Sequence, residues 1–171
     1  EAYVRGNKDY EGAREEIDGI NKQLYDGDEK IEKLYRETRQ WSLDYYDDFY
    51  GRFYTKFDCL FFESDMVGEG KRIVLENVGR VFERDNGAVV FKGEKYGLHT
   101  RVFITQAGYP TYEGKEMACA YAECEAFPFD IKMHVVANEQ AGYFRVVFKA
   151  LEVLDEERFG GKQHHVSMGM V

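Results

Sequence analysis

Hydrophobic residues recur at intervals of three and four along the first fifty positions, in two runs with a short break at Gly27. This spacing is typical of amphipathic helices, which Asn7 and Asp28 could cap. Because the break is short, the sequence predicts a helical hairpin over residues 1–56, with its second helix ending at Gly51. Its aromatic face is expected to pack in a core: Trp41, Tyr45, Tyr46, Phe49 and Tyr50.

The hydrophobic segments become shorter between residues 57 and 100. The run FDCLFF, residues 57–62, predicts a short buried strand, and 69–78 predicts a helix. Asn86-Gly87 separates two alternating runs, which is the strongest short signal for a β-hairpin. We expect this hairpin, at about residues 80–92, to be a small appendage on the fold.

Strand and helix patterns alternate regularly over the remainder of the chain. They predict strands at 101–105, 131–137 and 165–170, with helices at 112–127 and 140–154 between them. Strands separated by helices of this length form right-handed crossovers in a parallel sheet. The fold is therefore predicted to be α/β. Residues 57–171 would form half of a doubly wound, Rossmann-like parallel sheet.

Composition narrows the class of protein. The 171 residues carry a net charge of −9, which disfavours a main phosphate-binding surface on this segment. Cys59, Cys119 and Cys124 have no metal-site spacing, so we expect no structural metal and buried, reduced thiols in a cytoplasmic protein. No apolar run approaches the length of a membrane span, so no membrane association is expected.

A phenol and a carboxylate stand where the strand at 101–105 gives way to a helix. Tyr112 and Glu116 are four residues apart and so project on the same side of that helix. A carboxylate can accept two N–H bonds from a guanidinium, and a tyrosine can add a hydroxyl or a stacking face. The pair would suit a guanidinium ligand. Alternatively, Glu116 is only an acid favoured by the helix dipole.

Gln140 follows the next predicted strand, at the edge where ligands bind in open α/β sheets. Its amide can both donate and accept hydrogen bonds, which suits the polar groups of an amino acid. Alternatively, Gln140 caps the following helix, although Asn138 and Glu139 are better placed for capping. His134, within the strand, is expected to be a satisfied core or interface residue.

Three ordered segments resemble arginyl-tRNA synthetases. PTYEGKEMACAYAE (residues 110–123) is similar to the family's arginine-pocket segment, and VVANEQAGYFRVVFKALE (135–152) to its VVGAEQ strand end and following helix. HVSMGMV (165–171) is similar to the family's HVSFGMV strand. Upstream, the segment that starts with WSL at Trp41 is similar to the connecting insertion between the two halves of the catalytic domain.

The resemblance implies an arginine–tRNA ligase, which joins L-arginine to ATP, in the presence of Mg²⁺, and transfers it to tRNA(Arg). Arginine would be bound by Tyr112, Glu116 and Gln140. Glu116 occupies the position of the family's pocket aspartate and is one methylene longer. The adenine of ATP would be bound by main-chain and apolar contacts from Gly169, Met170 and Val171. His165 would be a further ATP contact.

The family's phosphate chemistry depends on a HIGH signature before this region and a KMSKS-type loop after it. Neither occurs in the 171 residues. The segment alone is therefore expected to be catalytically inactive, with half an arginine pocket and with most tRNA contacts lying elsewhere. Two alternatives are open: a segment of another class I aminoacyl-tRNA synthetase, or a non-catalytic α/β binding domain.

Overall fold

Two units divide the chain after Cys59. The computed structural model describes residues 2–169, with side chains from residue 4 onward. Among these described residues, the first unit contains helices and no strand, whereas the second combines helices with two small sheets.

The first unit is a helical hairpin of α1 (Ala2–Tyr25) and α2 (Glu29–Arg52), which contact one another. The Asp28 carboxylate accepts hydrogen bonds of 3.0 Å from the amides of Lys30 and Ile31, so the predicted cap is confirmed. The cap predicted at Asn7 is wrong, because α1 is already helical at Ala2 and continues through this position.

The aromatic face of α2 does not form a core, contrary to expectation. No described residue of α2 is buried, and the Trp41 side chain is 66% exposed. The apolar side chains Ile17 and Ile20 of α1 are themselves exposed and so provide no buried face against which these rings could pack. Instead the rings contact one another along the helix, with 4.6 Å between the centroids of Phe49 and Phe53.

Residues 57–62 form no strand, although they lie wholly within the described part of the chain. Phe57 and Leu60 are exposed. The Phe57 ring meets Tyr50 edge-on at 4.8 Å. An apolar run becomes a strand only where a second strand satisfies its backbone groups, and none pairs with this segment.

Within residues 60–169, the second unit contains four helices and five strands beside its short 3₁₀ turns. The helices are α3 (Val67–Glu76), α4 (Tyr112–Ala126), α5 (Ala141–Leu154) and α6 (Glu156–Phe159). The strands are β1 (Glu83–Asp85), β2 (Ala88–Phe91), β3 (Arg101–Ile104), β4 (Lys132–Ala137) and β5 (Gln163–Met168).

The β1–β2 hairpin is confirmed. Asn86 and Gly87 have φ angles of 48° and 84°, the left-handed conformation that a two-residue hairpin turn requires at both positions. However, the hairpin is not an appendage. β3 pairs antiparallel with β2 and, within residues 2–169, with neither β4 nor β5, so β1, β2 and β3 form one sheet.

β4 and β5 form the predicted parallel pair, in register from Lys132 opposite Gln163 to Ala137 opposite Met168. The crossover between them runs through α5 and the short α6, which the sequence analysis did not identify. One face of the pair packs on α5, whereas Met133 on the other face is exposed. The α/β class and the parallel pair are thus confirmed, with a sheet of two strands in the described residues.

The core lies between α3, α4, α5 and the β1–β2–β3 sheet. Burying each large apolar side chain contributes about 1.5–3 kcal/mol. Since β2 is buried at every position, the hairpin strand is part of this core. The largest fully buried side chains are Phe82, Phe91, Phe103, Phe159, Met117 and Leu151.

Candidate functional site

The start of α4 is fixed tightly against β3. The Thr111 hydroxyl donates to the Val102 carbonyl oxygen at 2.7 Å and accepts from the Gly114 amide at 3.4 Å. A side chain on Gly114 would bring its Cβ within 2.3 Å of the Phe103 carbonyl oxygen. Only glycine therefore allows this close approach, which sets the direction of the first turn of α4.

Tyr112 lies at the surface, where its side chain is 64% exposed. The Lys115 ammonium lies 4.7 Å from the centre of the Tyr112 ring, close enough for a cation–π contact. Lys115 also forms an ion pair of 3.0 Å with Glu63. The phenol of the predicted pair thus lies beside a protein cation.

Glu116, one turn further along α4, is half-buried. Within the described residues its carboxylate forms neither a hydrogen bond nor an ion pair. The pKa of Glu116 is raised to about 7, mainly by burial; the Lys132 charge opposes the rise, and the charges of Glu123 and Glu63 add to it. Lys132 is itself paired with Glu123. Glu116 is therefore a carboxylate for which the structure provides little charge compensation.

Three residues that are linked through Arg101 of β3 were not identified from the sequence. Glu113, 8% exposed, is the one charged side chain that is buried among the described residues. Its carboxylate accepts a hydrogen bond of 2.8 Å from Arg101 Nη1. The Arg101 guanidinium carbon lies 5.7 Å from the centre of the Tyr143 ring. One sequence signal could have indicated the ion pair: Arg101 and Glu113 carry opposite charges, the first at the start of a predicted strand and the second at the start of the helix that follows it.

Gln140 lies at the carboxyl end of β4, in a 3₁₀ turn (Asn138–Gln140) that leads into α5. Its side chain is exposed and does not cap α5. Asn138 does not cap it either, because its side-chain oxygen accepts a hydrogen bond of 3.1 Å from the Ser167 hydroxyl of β5. The amide of Gln140 is thus available at the predicted edge of the sheet.

Two of the four candidate ATP-binding residues, Met170 and Val171, lie outside the described residues. Gly169 is exposed, directly after β5. The His165 ring donates from Nε2 to the Val136 carbonyl oxygen at 3.2 Å and stacks on Phe144 at 5.3 Å. Gly169 and Gln140 both follow strands of the parallel pair, at the same edge.

His134 is a satisfied interior residue, as predicted. Its Nε2 lies 2.7 Å from the side-chain oxygen of Gln163, and its ring lies 4.9 Å from those of Phe144 and Phe148. Burial and the Lys132 charge lower the pKa of His134 to about 4, so the ring is neutral at pH 7.

The described residues bear on what the sequence predicted about cysteines, metal sites and membrane spans. All three cysteines are free, and Cys59 is exposed rather than buried as expected. In the described part of the chain, no cluster of three or more His, Cys, Asp or Glu side chains could hold a metal ion. None of its helices is both long and apolar enough to cross a membrane.

Comparisons with known proteins find arginine–tRNA ligases. No protein-family profile matches the chain. The arginine–tRNA ligase of Treponema pallidum is 26% identical over 163 residues, which are 94% of this chain and 28% of the relative. That of Porphyromonas gingivalis strain W83 is 31% identical over 147 residues, 85% of this chain and 24% of the relative.

Solved structures agree on the fold. The arginyl-tRNA synthetase of Plasmodium falciparum superposes with a TM-score of 0.75 at 15% identity, covering 94% of this chain and 29% of that one. The chain thus spans about a quarter of the length of the curated relatives it matches. The resemblance drawn from the sequence is confirmed: over 85–94% of its length, the chain is similar to a segment of arginine–tRNA ligases.

Proposed function

We propose that the protein containing this chain is an arginine–tRNA ligase of class I. It activates arginine with ATP and transfers it to tRNA(Arg), and this chain supplies part of the arginine pocket. The proposal is carried by the half-buried Glu116 carboxylate, which has no ion-pair partner among the described residues, in a chain whose relatives are named arginine–tRNA ligases. The reaction belongs to protein synthesis in the cytoplasm.

Glu116 is the group that binds the guanidinium of arginine. An unpaired carboxylate in a partly desolvated position is destabilised in its charged form, and an incoming cation removes that penalty. A planar guanidinium can donate two parallel hydrogen bonds to one carboxylate, whereas a lysine ammonium cannot. The longer Glu side chain, in place of the family's Asp, reaches toward the ligand from this half-buried position.

Tyr112 and Gln140 complete the proposed arginine pocket. The exposed ring of Tyr112 provides a face at the rim, and the amide of Gln140 binds the amino or carboxylate group of the substrate. α4 and α5 pack against one another, so the pocket would be built from the starts of adjacent helices.

The end of β5 is proposed to contact ATP. Gly169, Met170 and Val171 would lie against the adenine, where glycine permits close backbone approach, and His165 would border the nucleotide. Mg²⁺ accompanies ATP as part of the substrate complex. The arginine carboxylate attacks the α-phosphorus, a new P–O bond forms, and pyrophosphate leaves. This step needs charge stabilisation more than proton transfer, so none of these residues acts as a general base.

Amino-acid-dependent exchange between ATP and pyrophosphate in the full-length protein tests this function. We expect exchange with arginine and none with lysine or glutamine. Glu116→Gln should raise the KM for arginine at least tenfold while leaving the KM for ATP unchanged. Glu125→Gln, an exposed acid on the same helix, is the matched control and should behave like the wild type. Exchange with another amino acid, or none at all, would contradict the proposal.

A further inference from the structure

Tyr143, in the first turn of α5, is held from one side by a partly buried ion pair. The Arg101 guanidinium lies over its ring at 5.7 Å while donating to Glu113 at 2.8 Å. Arg101 Nε is buried and has no hydrogen-bond partner within the described residues. The guanidinium is thus held by one acid and one ring, in a position where it can fix the orientation of the phenol.

Tyr143 of α5 and Glu116 of α4 lie on helices that pack against one another. Burial raises the pKa of the Tyr143 hydroxyl, and the negative charge of Glu116 is the next largest cause. The hydroxyl therefore remains neutral and can donate a hydrogen bond to an acceptor or accept one from a cation. Tyr143 is also three residues after Gln140, a spacing that places both on one side of the start of α5.

The ion pair also determines which acid is available. Arg101 forms an ion pair with Glu113, and Lys132 forms one with Glu123. Glu116 has no ion-pair partner within the described residues. Because the Arg101 charge is matched by Glu113, it does not compete with a bound cation for Glu116. One uncompensated carboxylate beside one neutral phenol matches a ligand that carries a single positive charge and several N–H donors.

We propose that the Tyr143 hydroxyl is a substrate contact that binds the arginine guanidinium together with Glu116, and that Arg101 and Glu113 are positioning residues which hold the Tyr143 ring. This inference rests on the proposed arginine-ligase function. In the proposed pocket, Tyr143 of α5 supplies a hydroxyl group, and Tyr112 supplies an aromatic ring at the rim.

Tyr143→Phe in the full-length protein removes the hydroxyl and keeps the ring. We expect the KM for arginine to rise about tenfold, which is the effect of losing a hydrogen bond to a charged group. The KM for ATP and the melting temperature should remain unchanged. The matched control is Tyr121→Phe, which removes a half-buried hydroxyl on α4 that donates to Asp155 at 3.4 Å. This control should leave both KM values unchanged.

The outcomes separate this inference from the function on which it rests. If the wild type activates arginine and Tyr143→Phe keeps the wild-type KM for arginine, the contact is overturned while the function stands. If the wild type activates no arginine, both are overturned. A KM increase in Tyr121→Phe equal to that in Tyr143→Phe would also overturn the contact, because any lost hydroxyl would then have the same effect.

Two substitutions of Arg101 test the positioning role. Arg101→Met removes the cation beside Glu113, and we expect the KM for arginine to rise about fivefold or more with the KM for ATP unchanged. Arg101→Lys retains a cation and should recover most of the loss. If both variants lower the melting temperature but keep the wild-type KM for arginine, the ion pair only stabilises the fold. If Arg101→Met does not fold, Glu113→Gln takes its place, because it removes the charge that holds Arg101. A wild-type KM for arginine in Glu113→Gln would overturn the positioning role.

Discussion

Charged residues on α2 and around α4 follow similar sequence patterns but lie in different surroundings. On α2 the acids and bases pair at helical spacing on the surface, such as Glu32 with Arg36 at 2.5 Å, and both side chains are exposed. Around α4, Glu113 pairs with Arg101 of β3 at 2.8 Å, where the side chains are only 11% and 35% exposed. Burial, rather than the pattern of charges, distinguishes the two regions.

This difference has energetic consequences. An exposed pair contributes about 0–1 kcal/mol, because water already solvates both charges. In a buried pair, removal of one partner leaves a poorly solvated charge and costs roughly 3–5 kcal/mol. Glu116 has the same cost of a poorly solvated charge without a partner among the described residues, and its pKa is therefore raised to about 7. The region around α4 therefore carries an energetic cost that a bound cation would remove.

The largest expected effect is at the buried pair. Glu113→Ala leaves the Arg101 charge without its acid, and we expect a loss of about 2–4 kcal/mol in the free energy of unfolding, less than the full range because Arg101 is partly exposed. Urea unfolding of the protein measures this loss. A change below about 0.5 kcal/mol would remove the distinction between the buried and the exposed pairs.

Substitution of Glu116 should have the opposite effect on the free energy of unfolding. Its folded-state pKa of about 7 lies above the ordinary value of 4.5, so the folded protein holds the proton more tightly. Stability from this group is fully present below pH 4.5 and is lost as pH rises through 7. Glu116→Gln removes this dependence and should stabilise the protein by about 1–3 kcal/mol at pH 8.

Little difference between Glu116→Gln and the wild type is expected at pH 4.5. Melting temperatures at the two pH values measure the effect. A variant less stable than the wild type at pH 8 would show that the Glu116 charge is compensated after all.

Arginine binding should strengthen with pH for the same reason. Only the ionised Glu116 pairs with the guanidinium, so the affinity is expected to rise about tenfold from pH 6 to pH 8. The other charges acting on Glu116 are those of Glu63, Glu123 and Lys132. Calorimetric titration of the full-length protein with arginine at several pH values measures this rise. Equal affinity at pH 6 and pH 8 would exclude Glu116 as the titrating partner.

The smallest expected effect is on α2. Glu32→Gln breaks the exposed pair with Arg36, and we expect a loss of no more than about 0.5 kcal/mol, which disappears at high salt. The urea midpoint at low and high ionic strength checks this. A loss comparable to that of Glu113→Ala would mean that the pattern of charges, rather than burial, sets the energy.

Elements encoded by neighbouring residues were predicted well. The Asp28 cap and the Asn86-Gly87 turn depend on backbone conformations and hydrogen bonds within a few residues, so the local sequence specifies them. The start of α4 was placed correctly for the same reason, because the Thr111 cap lies beside it. The roles of Tyr112, Glu116 and Gln140 in arginine binding stay predictions.

Contacts between distant residues were not predictable. The antiparallel pairing of β3 with β2, the exposure of Trp41 and the irregular segment 57–62 depend on which surfaces meet in three dimensions. The same is true of Arg101, Glu113 and Tyr143, which belong to three different elements. A periodic pattern indicates that a face is apolar and leaves open what covers it.

The sequence by itself determined the helices α1 to α5, the Asn86-Gly87 turn, the parallel strand pair and the resemblance to arginyl-tRNA synthetases, because spacing, capping residues and ordered motifs are properties of the chain read in order. Only the tertiary structure decided that Glu113 is neutralised by Arg101 while Glu116 has no such partner among the described residues. The physical reason is desolvation: the energy of a charge depends on the water and the partners around it, and folding sets both.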